Sequence, residues 1–209
     1  MAWALAGAAG LVYWALSLRE GHSVFRSTVK GLAVSPLAVL AAAQGAWAVA
    51  LALALCSLGD VVLSRPGERA FLGGLIAFAV GHLAWIAVFA SRFGLSGTQL
   101  VTPGRLLALI AVGVLALVMA RVLLPRAGAL RGPVAVYLGI IFCMALAALA
   151  TPAPLIVAGA LLFVGSDALL GLQTFALTAG TAAERVSNAL IWPLYWGAIA
   201  LMSLASLAA

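Results

Sequence analysis

Charged side chains are scarce in this sequence: only 8% of its 209 residues are Asp, Glu, Lys or Arg, and only five of them are acidic. A soluble domain of ordinary composition is about a quarter charged and about half apolar. Here 66% of the residues are hydrophobic, so the chain has too little charge to cover a water-soluble globule. Disordered segments are polar and rich in charge, and the same composition excludes them. The composition therefore predicts an integral membrane protein.

Residues that build disulfides, metal sites and nucleotide-binding loops are rare as well. Cys56 and Cys143 lie within apolar runs without disulfide or zinc spacing, so we expect them to be packing residues. The chain has two histidines, His22 and His82, whereas a zinc hydrolase needs about three ligands of this kind. It has no P-loop and no Gly-rich dinucleotide-binding context. We therefore expect neither a metal ion nor a cofactor. A metal site formed by His82, Asp60 and Asp167 is the open alternative, and it would be a poor site for zinc.

Basic residues outnumber acidic ones and give a formal net charge of +6. In a soluble protein this excess would indicate nucleic acid as a partner. Here the basic residues fall between apolar runs, which is typical of residues that orient a membrane protein, so nucleic acid is not expected. The preference for Arg over Lys in a chain rich in Ala and Leu favours a bacterial source, and hence the bacterial inner membrane.

Eight apolar runs approach or reach the length of about 20 residues that a spanning helix needs. The second is short and contains Pro36, so it is expected to be tilted, broken or partly re-entrant. A single helix through Gln44 and Gly45 would reduce the number of spans to seven. The gaps leave no room for a soluble domain, so we predict one all-α membrane domain over residues 1–209. The runs are 2–18, 29–43, 45–64, 70–90, 105–124, 133–150, 154–179 and 187–207.

The distribution of basic residues predicts the orientation of these eight spans. One side holds two basic residues, Arg92 and Arg105, together with both termini. The nine on the other side mark it as cytoplasmic. No basic residue precedes the first run, so we expect a first span with its N-terminus outside and no secretory signal. The nine are Arg19, Arg26, Lys30, Arg65, Arg69, Arg121, Arg126, Arg131 and Arg185.

The acidic residues divide into two groups. Glu20, Glu68 and Glu184 are predicted in cytoplasmic loops, whereas Asp60 and Asp167 lie inside apolar runs. A carboxylate in hydrocarbon costs about 2.5–3.5 kcal/mol on insertion scales, and such residues usually serve function. No Lys or Arg lies at matching depth to pair with them. Both aspartates are predicted in the inner half or middle of the membrane, where one cytoplasmic pocket would accommodate them. The alternative to a functional role is that both aspartates are structural residues held by hydrogen bonds.

Other polar residues are candidate neighbours of this pocket, although each suits packing or helix contact equally well. His82 lies in the middle of the fourth run, and Ser57 and Ser64 share a helix face with Asp60. Arg65 and Arg69 would lie at the cytoplasmic mouth, either against a phosphate headgroup or as ordinary orienting charges. The candidate pocket residues are His82, Ser57, Ser64, Ser166 and Tyr195.

Three sequence blocks resemble the YhhN-type lysoplasmalogenase family of integral membrane proteins. Residues 53–64 read LALCSLGDVVLS and residues 71–89 read FLGGLIAFAVGHLAWIAVF, with Trp85 where Tyr is common. Residues 159–175 read GALLFVGSDALLGLQTF. The order and spacing of the blocks are similar to those of the family. The last run departs from the family pattern, since Tyr195 is followed four residues later by Ile199 where the family often has Gln.

The resemblance implies an eight-span hydrolase that cleaves the vinyl-ether bond of a lysoplasmalogen to a fatty aldehyde and a glycerophospho-alcohol. Its two functional aspartates correspond to Asp60 and Asp167. Enol ethers are cleaved by protonation on carbon followed by addition of water, which needs one proton donor and one anion. Asp167 is the candidate acid and Asp60 the candidate base, and His82 is a candidate to orient one of them. Another lysophospholipid or ether lipid is an open alternative for the substrate.

Two other functions fit the same residues. A proton-coupled transporter would use Asp60 and Asp167 as a proton relay, and the Gly-Asp and Ser-Asp pairs echo each other in the two halves of the chain. A structural or lipid-binding bundle would need neither aspartate. The sequence leaves the oligomeric state open.

Overall fold

The computed structural model of the chain describes residues 1–18, 21 and 23–208. Helices make up 84% of it, and the described residues contain no strand, so the all-α prediction is confirmed. Arg19, Glu20 and His22, which appear in the predictions above, lie outside the described residues. The helices are α1 (Ala2–Ser17), α2 (Val24–Leu32), α3 (Ser35–Ala43), α4 (Trp47–Leu63), α5 (Glu68–Phe93), α6 (Gly97–Leu100), α7 (Pro103–Leu123), α8 (Arg131–Leu149), α9 (Pro154–Phe175) and α10 (Ala182–Ala208), with a 3-10 turn at Gly128–Leu130 before α8.

Six segments of the described chain are long and apolar enough to cross a membrane. They are α2 and α3 taken together, α5, α7, α8 with its preceding turn, α9 and α10. The other two apolar helices, α1 and α4, have 16 and 17 residues, or about 25 Å at 1.5 Å per residue. The hydrocarbon core is about 30 Å thick. Spanning by eight helices, with both termini outside, stays a prediction.

The second apolar run forms two helices, which agrees with the broken form expected there. α2 begins at Val24, five residues before the predicted run, because the Ser23 hydroxyl accepts a hydrogen bond from the Arg26 amide (3.2 Å) and caps the helix. The break follows at residues 33–34, just before α3. Pro36 lies in the first turn of α3, where its missing N–H is not needed.

A separate turn divides α3 from α4, so residues 29–64 do not form one helix. Gly45 has φ +73°, which is the left-handed conformation that glycine adopts without steric cost. Trp47 begins α4 two residues later.

The described chain forms two compact units, residues 1–85 and 86–209, and the boundary falls within α5. In the first unit, α1 packs on α2 and α3, and these two helices pack on α4. In the second unit, α9 contacts α7, α8 and α10, and its contact with α10 is the most extensive. The prediction of one domain over residues 1–209 stays a prediction.

Large apolar side chains are exposed on the outer helix faces. On α7, Leu107, Val114 and Leu117 are 69%, 56% and 67% exposed, and α7 is the least buried of the six long segments. Contiguous apolar surface of this kind is expected where a protein meets lipid.

Two of the three glutamates predicted in loops lie instead in the first turns of helices. Glu68 begins α5, and Glu184 lies in the first turn of α10. Carboxylates are favourable there because the unpaired amides give the start of a helix a partial positive charge. Helix interiors in the described chain therefore hold two carboxylates, Asp60 and Asp167.

Candidate functional site

Asp60 lies near the end of α4 and is 1% exposed. Ser57 and Ser64 lie three residues before it and four after it, so the three side chains share one face of the helix. Gly59, next to Asp60, allows α5 to approach closely, because a Cβ there would lie 2.8 Å from the Phe78 ring. The buried carboxylate thus lies in a tightly packed part of the first unit.

The facing helix, α2, presents a complementary set of polar groups. The Ser57 hydroxyl donates to the Gly31 carbonyl (3.1 Å), and the hydroxyl oxygens of Ser64 and Ser27 are 2.6 Å apart. Gly31 permits this approach, because a Cβ there would lie 2.8 Å from the Val61 side chain. We call this contact the polar seam; it comprises Ser27, Lys30 and Gly31 of α2 and Ser57, Asp60 and Ser64 of α4.

Lys30 forms an ion pair with Asp60 at the centre of the polar seam. Its Nζ lies 3.1 Å from Asp60 Oδ1, and the Lys30 side chain is 12% exposed. Nζ also lies 5.5 Å from the centroid of the Tyr13 ring on α1, within the range of a cation–π contact. The prediction that no basic residue pairs with Asp60 is therefore wrong. Hydropathy puts Lys30 at the edge of the second apolar run, whereas α2 begins at Val24 and carries Lys30 into the contact with α4.

Sequence reasoning missed a partner for Asp167 as well. Asp167 lies in α9 and is half-buried, and the hydroxyl of Tyr137 on α8 donates a hydrogen bond to its Oδ2. Tyr137 is one of three tyrosines in the chain and the only one in the run 133–150. A single phenol in an otherwise apolar run is the feature of the sequence that could have indicated Tyr137 as a hydrogen-bond partner.

Ser166 precedes Asp167 but joins α9 to α10. Its hydroxyl donates to the Ile191 carbonyl (3.0 Å), and the Ser187 hydroxyl donates back from α10 to the Leu169 carbonyl (3.2 Å). Tyr195 lies in the same contact and is 4% exposed. Its ring packs edge-on against Phe163, with centroids 5.3 Å apart. These contacts give both predicted pocket residues a packing role.

His82 lies within α5 in the first unit and is fully buried. Its Nδ1 is 2.6 Å from the Phe78 carbonyl one turn earlier. A carbonyl can only accept, so Nδ1 carries the hydrogen, and the ring is anchored to its own helix. An orienting role for His82 towards an aspartate stays a prediction.

The candidate headgroup residues, Arg65 and Arg69, are both exposed. Arg65 follows the end of α4, and Arg69 lies in the first turn of α5. Their positions leave both interpretations open, a contact with phosphate or an orienting charge at the membrane surface.

The two arginines predicted on the non-cytoplasmic side bind the ends of helices in the second unit. Arg92 Nη1 donates to the Ser206 carbonyl near the end of α10 (2.6 Å). Arg105 Nη1 donates to the Leu149 carbonyl at the end of α8 (2.6 Å) and also to the Thr151 carbonyl. The last carbonyls of a helix lack partners within the helix, and these two arginines supply them.

The two aspartates thus have chemically different partners. The Lys30 ammonium is a cation and places a positive charge 3.1 Å from Oδ1 of Asp60. Tyr137 is a neutral donor, and its hydroxyl binds Oδ2 of Asp167. Among the described residues, no group of three His, Cys, Asp or Glu side chains is arranged to hold a metal ion.

These features define a class, an all-helical membrane protein with one acidic side chain inside each of two helical units. Comparison with protein families then narrows the class. The sequence model of the YhhN family matches residues 25–206, most of the chain, and the protein belongs to this family. All three resembling blocks lie within the matched range. No curated protein and no solved structure matched.

Proposed function

We propose that the protein hydrolyses the vinyl-ether bond of a lysoplasmalogen or a related lysophospholipid, with Asp167 as acid and Asp60 as base. Membership of the YhhN family supports a lysoplasmalogenase-type activity. The observation that carries the proposal is that the match includes Asp60 and Asp167, the two carboxylates in helix interiors, each held by a different kind of partner. The proposed location is the bacterial inner membrane.

The reaction begins with transfer of a proton from Asp167 to the β-carbon of the vinyl ether. This step forms an oxocarbenium ion and leaves Asp167 ionised. Asp167 suits the role because Tyr137 holds its carboxyl group through Oδ2 and remains a hydrogen-bond donor to the carboxylate that forms as the proton leaves. General acid catalysis of this kind contributes about 10²–10⁴-fold.

Water then adds to the oxocarbenium carbon and gives its proton to Asp60, which produces a hemiacetal. The hemiacetal collapses when Asp60 protonates the departing ether oxygen and Asp167 accepts the proton of the hydroxyl. The products are an aldehyde and an alcohol, and both carboxyl groups return to their starting states. Asp60 suits this role because Lys30 favours its anion, and an anion stabilises the oxocarbenium ion.

Arg65 and Arg69 are the proposed contacts for the phosphate of the lysophospholipid. Both are exposed cations, and Arg65 follows Asp60 by little more than one turn. Replacement of either by Gln is expected to raise KM and leave kcat largely unchanged, because the headgroup is remote from the reacting bond.

Aldehyde release from lysoplasmalogen by the purified protein tests the proposal. Asp60→Asn and Asp167→Asn should each lower kcat at least about 100-fold, whereas the matched control Glu68→Gln, which removes an exposed carboxylate, should retain it. Lysolipids with ester and alkyl-ether linkages complete the panel. Normal turnover by either Asn variant would refute the two-aspartate mechanism.

A proton-coupled transporter is the second candidate, and one observation favours it. The segment Val24–Ala43 is long enough to span a membrane but is broken between α2 and α3, and Lys30 of α2 pairs with Asp60. Discontinuous helices near intramembrane charges are typical of transporters. Proton-dependent flux of a lysolipid into vesicles, without hydrolysis, would favour this function over the hydrolase.

A further inference from the structure

Lys30 is held inside the helical contact and does not extend towards solvent. It lies two turns into α2, where its side chain is 12% exposed and reaches Asp60 Oδ1 at 3.1 Å. A lysine that serves only to orient a helix would extend its ammonium to the membrane surface, since the long side chain allows this. Enclosure of Lys30 in the polar seam therefore needs a separate explanation.

Lys30 brings a positive charge into direct contact with Asp60, and the other helices of the first unit contribute the following groups. From α1, the Tyr13 ring lies 5.5 Å from Nζ, and α3 contributes no titratable side chain. From α4 come Asp60 itself and the buried Cys56, and α5 contributes the buried His82 together with the exposed charged residues of its first turn. In this unit, Lys30 is the described cation in direct contact with the carboxylate.

We propose that Lys30 is a positioning residue that keeps Asp60 ionised and holds its carboxylate in place for the proposed hydrolysis. The inference rests on the proposed function. The role of Lys30 also explains why Asp60 is the base and Asp167 the acid, since the partner of Asp167, Tyr137, is neutral. Addition of water to an oxocarbenium ion needs only a weak base. What the step requires is a fixed negative charge beside the developing cation.

A purely structural role for Lys30 would be to dock α2 on α4. The seam already has two uncharged contacts for that purpose, the Ser57 bond to Gly31 and the contact between Ser64 and Ser27. Docking and positioning differ in what they require of the side chain at position 30. Docking needs a well-packed side chain, whereas positioning needs a positive charge.

Three variants of Lys30 separate charge from packing. Lys30→Arg keeps the charge, Lys30→Gln keeps a hydrogen-bond donor without charge, and Lys30→Met keeps length alone. Arg26→Gln is the matched control, because Arg26 lies one turn earlier on α2 and its guanidinium binds the Gly21 carbonyl away from the seam. Thermal unfolding in detergent establishes which variants are folded, and kcat and KM are measured with lysoplasmalogen.

The expected result is that Lys30→Arg stays within about fivefold of the wild-type kcat. Lys30→Gln and Lys30→Met should lose at least 30-fold in kcat with KM changed by less than about threefold, because the interaction acts in the transition state. Arg26→Gln should match the wild type. A folded Lys30→Gln with the wild-type kcat would overturn the proposal. If the wild type itself releases no aldehyde, the proposed function fails instead.

Infrared difference spectra provide a readout that is independent of turnover. The difference spectrum between the wild type and Asp60→Asn should contain no carbonyl band from a protonated carboxyl group. The difference spectrum between Lys30→Gln and the double variant Lys30→Gln with Asp60→Asn should contain this band. Without the Lys30 cation, the buried Asp60 carboxyl group takes up a proton. Lack of this band in the Lys30→Gln background would overturn the proposal, whatever the activity.

Discussion

Removal of one charge from the Lys30–Asp60 pair should destabilise the protein, and removal of both should not. Asp60→Asn keeps the shape of the side chain but leaves the Lys30 ammonium buried, with 12% exposure. Breaking a buried ion pair in this way costs about 3–5 kcal/mol. We expect about 3 kcal/mol, the lower end, because Lys30 retains slight exposure and the Tyr13 ring at 5.5 Å partly compensates the charge.

The double variant Lys30→Met with Asp60→Asn should lie within about 1 kcal/mol of the wild type, because replacement of a whole buried pair is often neutral. The two single variants and the double variant form a thermodynamic cycle, measured by reversible unfolding in mixed micelles. Its coupling energy should exceed about 2 kcal/mol, which is within the range observed for residues in contact. Additive effects, with the double variant as unstable as the two single changes together, would refute the buried ion pair.

Three further predictions follow from single contacts. Tyr137→Phe should lower kcat at least about tenfold, because Asp167 becomes ionised as it donates its proton and a hydrogen bond to a charged group is worth about 1.5–3 kcal/mol. A change in KM alone would contradict this prediction. Arg105→Ala leaves carbonyls at the end of α8 unpaired and should cost about 1–3 kcal/mol in unfolding free energy with kcat unchanged. Gly159→Ala places a Cβ 2.6 Å from Met202 Cγ and should destabilise by about 1–3 kcal/mol, whereas Gly139→Ala, at an open position, should not.

The sequence was sufficient to predict the helical architecture, because long apolar runs in a chain with little charge have few other solutions. It also identified Asp60 and Asp167, since carboxylates inside such runs are conspicuous. Family membership was predictable for the same reason: the three blocks around these residues are distinctive in order and spacing.

The partners of the aspartates were not predictable in the same way. Hydropathy puts Lys30 at the edge of an apolar run, whereas the Ser23 cap lets the helix begin earlier and places Lys30 inside it. Tyr137 reaches Asp167 across the contact between α8 and α9, and no pattern within either helix specifies that contact. Arg92 and Arg105 were assigned by counting charges alone, which cannot reveal that both bind carbonyls at helix ends.

Hydrolysis of lysoplasmalogen in heavy water tests whether the two aspartates cleave the vinyl ether by protonating its carbon. Protonation of the vinyl ether at its β-carbon by a carboxyl in exchange with solvent places one deuterium on the carbon next to the aldehyde, detected by mass spectrometry of the trapped product. The two-aspartate mechanism predicts one deuterium per aldehyde molecule formed by the wild type and almost no product from Asp60→Asn or Asp167→Asn. Aldehyde without deuterium at that carbon, or labelled aldehyde at the wild-type rate from either variant, would contradict it.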